Sequence, residues 1–151
     1  MLAGVGPASP RHEPAARAAF RLKRRRRVLD GEEYTAFIHE AALRVQFGGP
    51  AVLRRQPAGL LDQSERPNGR IRAVPFDVAT VPGAGENHTP AAGPIPELDT
   101  VQVDLTHGPE FLHHGCELRA YRGVMAAMEQ RVMSAEVSRD FIHRVLRKLK
   151  G

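Results

Sequence analysis

A single cysteine, Cys116, leaves this chain without an internal disulfide framework or a Cys-rich zinc module, and it fits a reducing compartment. Tryptophan is absent and aromatics make up 5% of residues, so any core must be built from aliphatic side chains and alanine. No stretch approaches the ~18 consecutive apolar residues of a membrane-spanning helix. Met1 to Pro10 has neither a charged start nor a long apolar run, unlike a secretion signal. The expected location is the cytoplasm, with no membrane partner. Serines are few and none sits in a nucleophile elbow, while Gly4-Val5-Gly6 and Gly83-Ala84-Gly85 are too short for a phosphate loop.

Proline and glycine are plentiful, twelve and fourteen in 151 residues, and they imply long irregular connections. The net charge of +5 is concentrated at the two ends. Residues 11–30 hold eight Lys/Arg against Glu13 and Asp30, and residues 140–151 hold four against Asp140. The remainder is mildly acidic, a pattern of a globular body with cationic edges.

Residues 98–112 are the expected centre of the fold. Val101, Val103 and Leu105 alternate with Thr100, Gln102 and Asp104, the period of a strand with one buried face. His107-Gly108-Pro109 supplies turn chemistry, and Phe111-Leu112 returns apolar mass to the core. Before it, residues 1–13 read as a disordered lead-in. A helix is expected from Pro14 to Leu29, with Ala15, Ala19, Leu22 and Leu29 on one thin apolar face. A strand over 34–39, a helix opened by Pro50 and a strand over 70–75 suggest a parallel pair with a helical crossover. Val52, Leu53, Gln56, Leu60, Leu61 and Ser64 set the spacing of that helix, and Pro57 predicts a kink in it. Residues 77–97 read as an irregular connection. Leu118, Tyr121, Met125, Met128 and Val132 recur at helical spacing over 117–131. Ser134 is an N-cap for a last helix to about Leu149, with Val137, Phe141, Val145 and Leu149 as its buried stripe. The expected fold class is α+β, a small mixed β-sheet of strands near 34–39, 70–75 and 100–105. Helices pack it, and the closing αα-hairpin roofs the central ribbon. Residues 14–151 form one domain in this expectation.

No chemistry assembles from spacing. His39-Glu40 begins like a zinc-protease helix, but position 43 is leucine where the second histidine is needed. His107, His113, His114 and Cys116 are the one metal-like group, and His113 and His114 are adjacent, so they point apart in any regular element. Asp99, Asp104 and Glu110 suggest a nuclease carboxylate set but lack its following lysine. Neither a catalytic residue nor a cofactor is therefore expected. Lys23, Arg24, Arg25, Arg26 and Arg27 are candidates for nucleic-acid contact through phosphates, set against the plainer reading of a solvated helix face.

Several motifs are similar in order and spacing to one family. They are Glu40-Ala-Ala-Leu-Arg44, Phe47-Gly-Gly49, Leu60-Leu61, Ser64-Glu-Arg-Pro-Asn68 and Val74-Pro-Phe76. They continue with Gly93-Pro-Ile-Pro96, Leu98-Asp-Thr-Val-Gln102, His107-Gly-Pro109, Phe111-Leu112, Tyr121-Arg122 and Ser138-Arg-Asp-Phe-Ile142. The chain thus resembles the C-terminal effector domain of unknown function of actinobacterial Xre-type helix-turn-helix, antitoxin-like regulators, here without the helix-turn-helix. The resemblance implies a non-catalytic domain that binds a small partner protein or full-length relatives, with any DNA association passing through the partner, or that pairs as a homodimer. Arg44, Arg72, Asp99, Asp104, Glu110 and Tyr121, polar residues within the matched motifs, are the expected contact surface. The alternatives are a basic nucleic-acid-binding protein using residues 21–27, or a truncated copy without function.

Overall fold

The computed structural model describes residues 14–45, 48–78, 83, 87–105 and 108–149. The lead-in expected over 1–13 lies outside them. The described elements are α1 (Pro14–Leu29), β1 (Tyr34–His39), α2 (Glu40–Arg44), α3 (Pro50–Ser64), β2 (Gly69–Val74), β3 (His88–Ala91), β4 (Thr100–Leu105), β5 (Gly108–Leu112), α4 (Gly115–Arg131) and α5 (Ala135–Lys148). A 3-10 turn over Pro96–Leu98 precedes β4. The class is α+β with a closing helix pair, as the sequence predicts. The three expected strands do not share one sheet, however. β1 and β2 form a parallel pair, and β4 lies between β3 and β5 in an antiparallel triple.

The chain divides into two compact units. One contains the parallel pair. Here α5 packs on β2 and α3, and Leu43, Leu61, Ile71, Ile142 and Val145 are the buried centre. Val74, Met128 and Val132 form a second cluster with Phe37 and Val124 against it. Three polar anchors organise this unit. The Arg72 guanidinium donates to the carbonyls of Glu129 (2.9 Å), Val132 (2.9 Å) and Met133 (2.8 Å), the acceptors left open where α4 ends. It also lies 5.7 Å from the centre of the Phe37 ring. The amide of Ala73, on the edge of β2 away from β1, donates to the hydroxyl of the fully buried Ser138 at 2.8 Å. Arg139 donates to the Ser64 carbonyl at 2.7 Å and to its hydroxyl at 3.2 Å, fastening α5 to the end of α3.

The expected stripe on α5 holds for Val145, which is buried, and for Phe141 and Leu149, which pack against that core, but not for Val137. Val137, expected inside, is 48% exposed, while Ser138, Ile142 and Val145 are buried. The face that meets β2 must carry the hydroxyl, because a buried amide without an acceptor is costly. In α3 the expected Leu53, Leu61 and Ser64 are buried and Leu60 packs on the core, while Val52 and Gln56 are exposed. Pro57 is buried where Gln56 was expected and sits inside a helix that runs from Pro50 to Ser64.

The other unit holds α1, the antiparallel triple and the first half of α4. Val101 and Val103 are buried with Leu118, and Leu105, Leu112 and Tyr121 pack around them. Within this unit the start of α4 covers the apolar side of the ribbon. The expectation that both closing helices roof it fails, because α5 puts its buried face on β2. Residues 88–91, expected to be irregular, form β3. A strand reading His88-Thr-Pro-Ala91 has no apolar alternation of its own and is defined by pairing with β4, and its proline is tolerated because β3 is an edge. The thin apolar face proposed for α1 does not pack either, since Ala15 and Ala19 are exposed and Leu22 is 56% exposed.

Candidate partner-recognition surface

β4 presents two chemically different faces. Val101 and Val103 turn toward α4, whereas Thr100, Gln102 and Asp104 turn to the other side. Residues directly opposite across a ladder share a face. Glu110, opposite Val103, is therefore on the α4 side, while Thr89, opposite Gln102, lies with Asp104 on the outer side. α1 lies along that outer side. Arg24 donates to the Thr89 hydroxyl at 3.1 Å, and Arg21 is 4.0 Å from the Asp104 carboxylate. Asp104 also accepts from the Gln102 amide at 2.7 Å.

The turn leading into β4 is exposed and held by several polar contacts. The Asp99 carboxylate accepts from the Gly93 amide at 3.0 Å and from the Arg122 guanidinium. Arg122 donates at 3.1 Å to the Pro96 carbonyl as well. One arginine on α4 thus ties both the 3-10 turn and the residue after it. The hydrogen bond from Arg122, and then that from Gly93, holds the Asp99 carboxyl below the ordinary carboxylate range. Proline at 94 and 96 stiffens the segment further. What this brace holds out to solvent is apolar, namely Ile95 at 52% and Leu98 at 74% exposed.

The six expected contact residues do not form one surface. Arg44 and Arg72 belong to the unit of the parallel pair, and Asp99, Asp104, Glu110 and Tyr121 to the other. Arg72 is committed to the end of α4, and Arg44 to Glu40 at 2.6 Å. Tyr121 packs beside the ribbon core with its ring 5.3 Å from that of His88. Asp104 and Glu110 face opposite sides of the triple, and Asp99 is the buttress of the braced turn. Among the described carboxylates, Glu40 is the buried one. Burial raises its pKa, but the Phe76 amide at 3.0 Å and Arg44 outweigh that and leave it lowered. Sequence reasoning passed over Arg122, Ile95 and Leu98. Arg122 stood as part of the Tyr121-Arg122 motif, and its acceptors lie more than twenty residues away. The signal that was available is Pro-Ile-Pro followed by Leu98-Asp99, apolar residues set in chain that cannot join a helix.

The metal-like group does not assemble, although His113 and His114, outside any regular element, do not point apart as expected. His107 is outside the described residues. His113 and His114 are exposed with their rings 4.7 Å apart, and Cys116 is an exposed free thiol. Among the described residues no group of three or more His, Cys, Asp or Glu is placed to hold a metal ion. No helix among them is long and apolar enough to cross a membrane.

The motifs that carry the family resemblance therefore run through both units, from Glu40 on α2 to Ile142 on α5. A family profile described as Domain of unknown function (DUF5753) matches residues 1–144. The chain belongs to the DUF5753 family. No curated protein and no solved structure matches it. In this DUF5753 domain, Glu40, Ser64 and Ser138 of the shared motifs hold the parallel-pair unit together, and Asp99 holds the braced turn.

Proposed function

We propose that this DUF5753 domain is the recognition part of an Xre-type, antitoxin-like transcriptional regulator of actinobacterial kind, working in the cytoplasm through protein–protein contact and not through catalysis. The observation that carries this reading is the braced turn. Two large apolar side chains are held in water by a carboxylate, a guanidinium and two prolines, where a loop without function would leave them free to collapse. Preorganisation of this kind lowers the entropy lost on association. The partner is a small protein that offers an apolar cleft, or a full-length relative or second copy doing the same.

The test is co-purification of the tagged chain from a host expressing it with the neighbouring small reading frames. The intact domain recovers a stoichiometric protein partner, and Ile95→Asp/Leu98→Asp does not, while both give the same circular dichroism. Recovery of no protein at any salt concentration, or equal recovery by the double variant, overturns the proposal.

A further inference from the structure

The cation cluster of α1 is not used by the braced turn. Pro14–Leu29 is a sixteen-residue helix, roughly 24 Å long at ~1.5 Å per residue, with no acidic residue in it. Arg21 and Arg24, one turn apart, reach the outer side of the triple and fix which face of the helix is turned inward. At ~100° per residue, Arg26 then projects from almost the opposite side, and Lys23 and Arg25 from the two flanks. All three are exposed, and their side chains have no hydrogen bond or ion pair among the described residues. Phe20 and Leu22 are the large apolar side chains exposed on α1, and at ~100° per residue they project about 160° apart, so the helix has no broad apolar face of the kind that beds into a lipid surface. A helix of this length with cations on three sides fits the two phosphate walls of a nucleic-acid groove.

We infer that the outward side of α1 binds the phosphate backbone of duplex DNA, without base reading, through Lys23, Arg25 and Arg26. Three phosphate contacts give a log–log salt slope of about −2.7, which is about a 40-fold loss of affinity between ~50 and ~200 mM salt. The decisive measurement is fluorescence anisotropy of a labelled 20-bp duplex titrated with the full chain at several salt concentrations. Lys23→Gln/Arg25→Gln/Arg26→Gln, which exchanges good helix formers for another, removes that part of the slope. Arg25→Lys/Arg26→Lys keeps it. Vesicles containing phosphatidylserine are the parallel probe.

Absence of duplex binding at ~50 mM salt, an unchanged slope in the triple variant, or binding to vesicles but not to duplex each overturns the inference. If circular dichroism shows the triple variant unfolded, the slope of the unaltered chain and of the Lys variant still decides, since a slope near zero is incompatible with phosphate contact. The Ile95→Asp/Leu98→Asp variant retains duplex binding in full, so failure of partner recognition and failure of this inference are separable.

Discussion

Arg72→Met removes a guanidinium but keeps most of its apolar stem over Phe37, so the change isolates the hydrogen bonds to the end of α4. Three carbonyls, those of Glu129, Val132 and Met133, lose a shared cationic donor. Each bond to a charged group contributes ~1.5–3 kcal/mol at most. Part of this is recovered because carbonyls near the surface re-hydrate, and the bond to Glu129 is itself exposed. A net loss of about 2–3 kcal/mol follows. For a chain of this size each kcal/mol moves Tm by ~2–4 °C, so thermal melting followed by circular dichroism should shift down by about 4–12 °C. Arg72→Lys should fall between, since one ammonium on a flexible stem cannot fork to three acceptors. A Tm for Arg72→Met within about a degree of the unaltered protein would refute the view that Arg72 holds β2 to the end of α4. Its place on an expected contact surface would then need to be reopened.

Three further outcomes follow from the same contacts. Ser138→Ala leaves the Ala73 amide buried without an acceptor and should cost about 1–3 kcal/mol in urea unfolding, with the Ala73 amide exchanging its hydrogen faster. Gly69→Ala places a methyl group 2.7–2.8 Å from the end of the Tyr34 ring, which packs on the core opposite it, and should destabilise by ~1–3 kcal/mol. The Glu40 carboxyl has a folded pKa below its ordinary 4.5, so the stability it contributes is complete above that value and is lost as pH falls through the folded pKa. Unfolding free energy measured from pH 6 down to pH 3 should therefore decline, and Glu40→Gln should flatten that decline.

The local grammar of the chain was legible without coordinates. Proline at 50 and Ser134 mark helix starts, and the Ser134 hydroxyl does accept from the Val137 amide at 3.3 Å. The alternation in 100–105 marks a strand, and its buried valines are those the period selects. These features depend on residues within one or two turns of each other, where backbone geometry and side-chain period act directly. The candidate site was legible only as a set of motifs. Gly93-Pro-Ile-Pro96 and Leu98-Asp99 stood out, but nothing along the chain pairs Asp99 with Arg122.

Tertiary structure decided what periodicity leaves open. At the start of α5 the amide of Ala73 meets the Ser138 hydroxyl, and Val137 is left in solvent. A four-residue strand containing proline has no signal of its own, and its partner β4 made it one. The division of the expected strands between two sheets has no mark in the period of any one strand. Hydrogen-bonding groups and apolar area must be satisfied by whatever lies opposite in space, and sequence order does not record what that is.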